Sequence, residues 1–286
     1  MKSKIYLILF ALFAFSCSSD SSSDDGNNNN GGNNNSGNSL LVSEIISSDD
    51  DYPDYVYTDR YIYDGNKLTS IVEESTYQNG DPQVDYIYQF IYTNNKITRI
   101  DEYYNGSLDG RYNFEYDNQG RISFYDYCSL YSGSGTCDYY DTNNFTYSSN
   151  GTVTNNYVYE VGTDYEIAGT LTLELDNNGN IISANDTDED SVVNASLEYD
   201  NLNSPFKNIV GMDAIILTVI IDNVMSLNAY NNCTSFYSEY SGNDEADQYN
   251  FAYDYNEDGY PRQVIVTFSG GNFDGSYTST IDINYY

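Results

Sequence analysis

The chain contains no histidine and 44 acidic residues, so any acid–base chemistry falls to carboxylates. Histidine is the usual general base near neutral pH and the commonest metal ligand. Without it, neither a Ser-His-Asp nor a Cys-His site can exist. A pair of acids is enough for glycoside hydrolysis, but among so many no pair is marked out by spacing. The spacing that does stand out is Asp254, Asn256 and Asp258 ahead of Gly259. Oxygens at alternate positions before a glycine match the opening of a calcium loop. The match ends at Ile265, where a bidentate glutamate would be required, and a hairpin turn uses the same residue types. Asp186, Asp188, Glu189 and Asp190 form a second acidic run. No cofactor is expected, with weak surface binding of Ca2+ at these two runs as the alternative.

Four cysteines carry the remaining chemistry. Cys128 and Cys137 flank a Ser/Gly-rich tip and are expected to be bridged, which would contribute about 2–3 kcal/mol by restricting the unfolded chain. Such a bridge requires an oxidising compartment. Cys233 is then the odd one out, expected to be buried as a small hydrophobe. With no Cys-x-x-Cys pair and no histidine, a zinc site has no ligand set.

The fourth cysteine belongs to the beginning of the chain. Lys2 and Lys4 precede an apolar run from Ile5 to Phe15, too short to span a bilayer comfortably. Ser16 stands directly before Cys17, and Ser18, Ser19 and Asp20 follow. This arrangement resembles the lipobox of bacterial lipoproteins, although Ala14 and Phe15 depart from its usual residues. The resemblance implies cleavage before Cys17 and acylation of that cysteine; the alternative is an ordinary signal peptide with an incidental cysteine. The expected organisation is a signal peptide over 1–16, a lipidated Cys17 with a Ser/Asp/Asn/Gly spacer over 17–39, and a β domain over 40–286. The spacer has nothing to bury. Its early acids (Asp20, Asp24, Asp25) resemble the surface-export signal of Bacteroidota lipoproteins, which would put the protein on the outer face of the outer membrane. A plain solubilising linker on a periplasmic protein is the other reading.

The β domain is written as repeats. A residue before a turn recurs at Tyr63, Tyr92, Tyr116, Tyr147, Leu175, Tyr199 and Tyr253, at intervals of about 24 to 31 residues except for the last. In the clearest copy Phe114 and Tyr116 alternate with Glu115, Asp117 to Gly120 make the turn, and Ile122 and Phe124 alternate with Ser123. That is strand periodicity with one buried face and turn chemistry of a type I turn closed by a left-handed glycine. Two turns per unit imply two strands per unit. The fold class is therefore all-β: an antiparallel meander of about fourteen strands, too many for a flat open sheet, hence strongly twisted or barrel-like. One helical insertion is expected near 208–228, where apolar residues recur at spacings of three and four. The β-branched content there keeps a buried strand pair open.

Tyr-Asp turns followed by Gly-Arg-Ile or Gly-Asn-Ile resemble tyrosine-aspartate repeats of the RHS type. The stretch from Tyr199 to Asn208, with Ser204-Pro205-Phe206-Lys207-Asn208, is similar to the Asn-Pro-Phe-Lys-Asn segment of an uncharacterised domain family of Bacteroidota surface lipoproteins. Ser204 departs from the usual Asn. The resemblance covers roughly residues 55 to 286 and implies an antiparallel β-meander with a helical insertion; it supplies no activity.

The formal net charge of −34 excludes electrostatic binding to nucleic acid. The expected partners are the outer membrane, through the lipid anchor, and a glycan or protein ligand gripped by some of the 34 tyrosines. The expected role is a non-catalytic surface binding or adhesion module. The alternatives are a structural component of an envelope complex and a carboxylate-dependent polysaccharide hydrolase. A transmembrane barrel is suggested by the ending Ile281, Ile283, Tyr285, Tyr286, but its would-be lipid faces carry few aliphatic residues. The substitution Cys17→Ala is expected to release the protein from the membrane fraction; unchanged partitioning into detergent would contradict the lipobox reading.

Overall fold

Sixteen antiparallel strands close into one barrel in the computed structural model, which describes residues 40–49, 54–78, 80–131, 135–188, 192–211, 230–240, 246–270 and 276–286. The strands follow chain order: β1 (Val42–Asp49), β2 (Tyr55–Asp64), β3 (Lys67–Tyr77), β4 (Gln83–Thr93), β5 (Lys96–Tyr104), β6 (Ser107–Tyr116), β7 (Ile122–Ser129) and β8 (Tyr140–Tyr147). They continue with β9 (Thr152–Tyr159), β10 (Ile167–Leu175), β11 (Ile181–Asp188), β12 (Val192–Tyr199), β13 (Cys233–Tyr240), β14 (Ala246–Tyr255), β15 (Pro261–Gly270) and β16 (Ser276–Tyr285). Each pairs with its chain neighbours, and β1 pairs with β16 to close the ring. The expected meander is present, with sixteen strands rather than about fourteen.

Alternation follows the sequence. In β12, Val193, Ala195 and Leu197 are buried while Asn194, Ser196 and Glu198 are exposed. Since the sheet closes on itself, the buried face is the inner one. Its apolar side chains form one continuous cluster running from Val42 and Ile45 round to Ile281 and Ile283. Leu173, Ile181 and Val264 are fully buried, and each such side chain contributes about 1.5–3 kcal/mol.

One end of the barrel is built by the repeated turns. Asp117 Oδ1 accepts from the N–H groups of Gln119 and Arg121 at 2.9 Å. The Gly120 N–H donates to the Asp117 carbonyl at 3.0 Å, and Gly120 sits at φ +87°. Asp176 repeats this pattern with Asn178 and Asn180, and Asn256 does so with Asp258 and Tyr260. A bulge precedes most of these turns, as between Glu115 and Tyr116. The carbonyls at the start of the return strands accept tyrosine hydroxyls from the next repeat: Tyr116 to Ile97 at 2.6 Å, Tyr147 to Ile122 at 2.8 Å, Tyr253 to Cys233 at 2.6 Å and Tyr285 to Pro261 at 2.7 Å. Lys67, Lys96 and Arg121, beside the same turns, lie over the rings of Tyr92, Tyr116 and Tyr147. Much of the tyrosine content is thus a repeat-to-repeat fastening.

The insertion enters inside one of these turns. Asp200 Oδ1 accepts from Leu202 N–H at 2.9 Å and, in place of a residue four positions on, from Asn232 N–H at 3.1 Å. The Asp200 N–H donates to the Asn232 carbonyl, as Asp117 does to Arg121. No repeat is missing: a turn has been opened and chain spliced into it. The expected helix over 208–228 lies outside the described residues from 212 onward, and its described start through Gly211 is a run of turns. Phe206, fully buried, packs on Tyr61 at 6.0 Å between ring centroids. Val210 donates to the Asn66 carbonyl and accepts from the Tyr92 hydroxyl. This segment therefore lies across the turn end of the barrel. The expected signal peptide, Cys17 and the spacer fall outside the described residues.

Tyr116→Phe removes a part-buried hydroxyl–carbonyl bond and is expected to cost about 0.5–1.5 kcal/mol in denaturant unfolding. Tyr63→Phe removes a buried hydroxyl with no hydrogen-bond partner and is expected to be neutral or stabilising in the same assay.

Candidate functional site in the barrel lumen

At the end opposite the glycine turns the inner wall changes character. On β2, Tyr55, Tyr57 and Asp59 continue the face of buried Tyr61; across the pair they meet Tyr77, Ser75 and Glu73. Glu73 pairs with Tyr86 on β4, and Tyr86 and Tyr88 pair with Tyr104 and Glu102 on β5. The rings touch: Tyr55 and Tyr77 at 4.7 Å, Tyr86 and Tyr104 at 5.2 Å, Tyr86 and Tyr88 at 6.2 Å and nearly parallel. Tyr57 and Tyr104 keep 49% and 45% of their surface open to solvent. This is a mouth of tyrosine rings over carboxylates.

Two carboxylates of the inner wall, Asp186 and Glu102, are held by the same device. The Tyr157 hydroxyl on β9 reaches past Gly169 on β10 and donates to Asp186 Oδ1 on β11 at 2.8 Å. The Tyr127 hydroxyl on β7 reaches past Gly110 on β6 toward Glu102 Oε2 on β5, at 3.4 Å. A Cβ at Gly169 would overlap the Tyr157 hydroxyl, and one at Gly110 would lie 2.6 Å from that of Tyr127. Glycine in mid-strand is the signature of such a close approach, and it was the available sequence signal for both devices.

These acids are costly to ionise. Burial pushes Glu102 up to about 7, Asp109 adds to this, and the Tyr127 bond opposes it. Burial also raises Asp141, with the Glu160 N–H opposing and the Glu160 charge adding, and raises Asp186 against the Tyr157 bond. Desolvation disfavours the charged form. Buried Tyr61 and Tyr88 are pushed up by burial first and then by carboxylates, among which Asp59 and Glu73 act on both.

The outer wall carries many polar residues. Along β8 to β12 its polar positions include Thr142, Asn144, Thr146, Thr154, Asn156, Thr170, Thr172, Glu174, Asn185, Asn194, Ser196 and Glu198, interspersed with Tyr140, Val158, Ala168, Ile182 and Val192. Asp101 is buried there between Arg99 at 3.2 Å and Arg111 at 2.6 Å, and Arg60 bridges Glu44 and Glu74. A membrane barrel needs an outward apolar band about 25 Å tall; the Thr, Asn and Glu positions of β8 to β12 interrupt one on that side of the barrel.

The other sequence-derived sites have separate places. Cys128 and Cys137 form a disulfide, Cα to Cα 5.2 Å, and Cys128 shares the outward face with its pair partner Arg111. Cys233 is buried and takes no part in the disulfide, its thiol pushed up to about 12 by burial. Asp254 is ion-paired with Arg262 at 2.7 Å, and Asn256 uses its side-chain oxygen to cap the turn that holds Asp258. Asp186 and Asp188 face the lumen on β11, while Glu189 and Asp190 fall outside the described residues. Among the described residues no three His, Cys, Asp or Glu side chains gather as a metal site.

The barrel is similar to two solved structures. One is a porin-like protein from Bacteroides uniformis, with a TM-score of 0.55 and 11% identity, covering 86% of this chain and 96% of that one. The other is a porin-like protein from Bacteroides vulgatus, with a TM-score of 0.53 and 15% identity, covering 86% of this chain and 99% of that one. At such identities the likeness is one of fold. No protein-family model and no curated protein matches the chain, so the resemblance to tyrosine-aspartate repeats and to the Bacteroidota domain family rests on the residues quoted for it.

A carboxyl whose pKa is raised by folding favours the fold when protonated, so its contribution is lost as pH rises from the unfolded value through the folded one. For Glu102 that window runs from its ordinary 4.5 to about 7. Thermal stability is expected to fall across this window, and Glu102→Gln to flatten the fall; a variant profile parallel to the parent's would contradict the assignment.

Proposed function

We propose that this chain is a non-catalytic lipoprotein barrel of the Bacteroidota cell surface that receives a ligand at the tyrosine-lined mouth of its lumen. The observation that carries the reading is the contrast between the two walls. A closed barrel with a polar exterior has no reason to enter hydrocarbon, and it leaves no free strand edge for partners to extend. What it offers a partner is the end where Tyr57, Tyr77 and Tyr104 are about half exposed. Tyrosine gives broad contact with little rotamer entropy to lose, so a rim of tyrosines suits the capture of a glycan or a peptide.

The porin-like names of the two Bacteroides structures support an outer-membrane setting, and the lipobox-like Cys17 supports attachment by lipid instead of by the barrel wall. Acids near Cys17 favour the outer face. The role of a structural component of an envelope complex is the second reading, favoured by the tight repeat-to-repeat fastening.

Protease applied to intact cells is expected to cleave the protein. The purified full chain is expected to give a reproducible hit on glycan or peptide arrays, and the double substitution Tyr57→Ala and Tyr104→Ala to abolish it. Protection from protease together with blank arrays would leave the structural role as the better account.

A further inference from the structure

We propose that the segment from Asn203 to Gly211 is a clasp on the closing seam of the barrel: docked, it holds β1 against β16, and when it lifts the seam parts. The inference concerns the ring itself and is independent of any ligand.

Every pair of neighbouring strands in the ring is consecutive in the chain except β1 and β16. That pair is the one joint with no connection to keep its strands together once their hydrogen bonds break. Its grip on the core is also small. Val42 and Ile45 are the buried side chains among the described residues of β1, and Ile281 and Ile283 are those of β16. First and last strands fray unless something ties them down.

Two ties meet at the entry to β1. Tyr286, just past β16, donates its N–H to the Leu41 carbonyl and its hydroxyl to the Tyr61 carbonyl on β2, both at 3.0 Å. The carbonyl one residue earlier, on Leu40, accepts from Asn208 Nδ2 at 2.8 Å. The same amide donates to the Tyr260 hydroxyl, directly ahead of β15, at 2.8 Å. One side chain of the inserted segment therefore spans from the strand beside β16 to the residue that leads into β1.

Its neighbours continue on either hand. Asn203 donates from its N–H to the Gly259 carbonyl and from Nδ2 to that of Asp258, both at 3.0 Å, which fixes the segment to the β14–β15 turn. On the other side of the seam Phe206 packs its buried ring on Tyr61. The Val210 N–H reaches the Asn66 carbonyl in the β2–β3 turn at 3.0 Å, and Tyr92 on β4 donates to the Val210 carbonyl at 3.1 Å. Both sides of the unlinked joint are thus bound to one short piece of chain. Closure favours docking and docking favours closure by the same factor. Openings of this kind are local and need no global unfolding. The sixteen-strand register is left as it is; the clasp sets how often the ring parts and bares the facing edges of β1 and β16, to which another strand could add.

Hydrogen exchange of the full chain in detergent, read peptide by peptide by mass spectrometry, tests the coupling in both directions. Asn208→Ala is expected to speed exchange across Val42–Asp49 and Ser276–Tyr285 at least tenfold and to leave Tyr140–Tyr147 and Thr152–Tyr159 at the parent rate. Tyr260→Phe, which removes one of the two bonds and keeps the ring, is expected to give the same pattern more weakly, and it carries the test if the alanine variant does not fold. In the reverse direction Ile45→Val, a small cut in the seam, is expected to speed exchange across Asn203–Gly211. Equal acceleration in β8 and β9 would mark general destabilisation and overturn the clasp. So would faster exchange within Asn203–Gly211 while β1 and β16 keep the parent rate, or parent rates throughout.

Discussion

The hydrogen bonds between β1 and β16, which join Ile45 to Ile283 in register, are the constraint from which the other features follow. Once the sheet is a ring, each strand has one face that water reaches freely and one that it does not, and side-chain alternation becomes a sorting of chemistry. Along β12, Val193, Ala195 and Leu197 go in, and Asn194, Ser196 and Glu198 go out. A ring also consumes every backbone donor and acceptor along its strands, so the molecule has no edge through which copies could add strands. The ends are then the remaining places for variety. One end is stitched shut by glycine turns, tyrosine hydroxyls and the segment carrying Phe206. The other carries Tyr57 and Tyr104 above Asp59, Glu73 and Glu102.

Fold and site were legible in the sequence to different degrees. Phe114 alternating with Tyr116 and the Asp117-to-Gly120 turn marked the hairpin unit, because strand period and turn chemistry are local properties. Closure is not local: nothing in Val42 to Asp49 announces that it will meet Ser276 to Tyr285, and these two strands lie outside the seven two-strand units that the repeated turns mark. The long interval between Tyr199 and Tyr253 conceals an opened turn, because the reciprocal bonds of Asp200 and Asn232 connect residues far apart in sequence. In the site, the tyrosines were noticed only as a total. Sorting those that brace a neighbouring carbonyl, such as Tyr116, from those that line the mouth, such as Tyr57, requires knowing which end of a strand each occupies. Gly110 and Gly169 carried the readable hint, an interior strand glycine beneath a tyrosine two strands from an acid.

The likeness to porin-like barrels and the polarity of this wall point to different lessons. Strand number and closure are set by backbone geometry and can be shared by chains with little sequence in common. The medium in which a barrel lives is set by which residues occupy the outward half of each strand. Here, along β8 to β12, that half carries many Thr, Asn and Glu residues.

The junction at Asp200 and Asn232 has a consequence for how such a barrel can vary. Because Asn232 returns to Asp200 the bonds that Arg121 gives Asp117, the hairpin closes in the same way whatever length of chain intervenes. Lengthening a closed loop adds an entropy that grows only with the logarithm of its length. The junction therefore behaves as a socket: a lineage can exchange the inserted cassette for another without renegotiating the sixteen-strand frame, much as an instrument accepts different reeds in one mouthpiece.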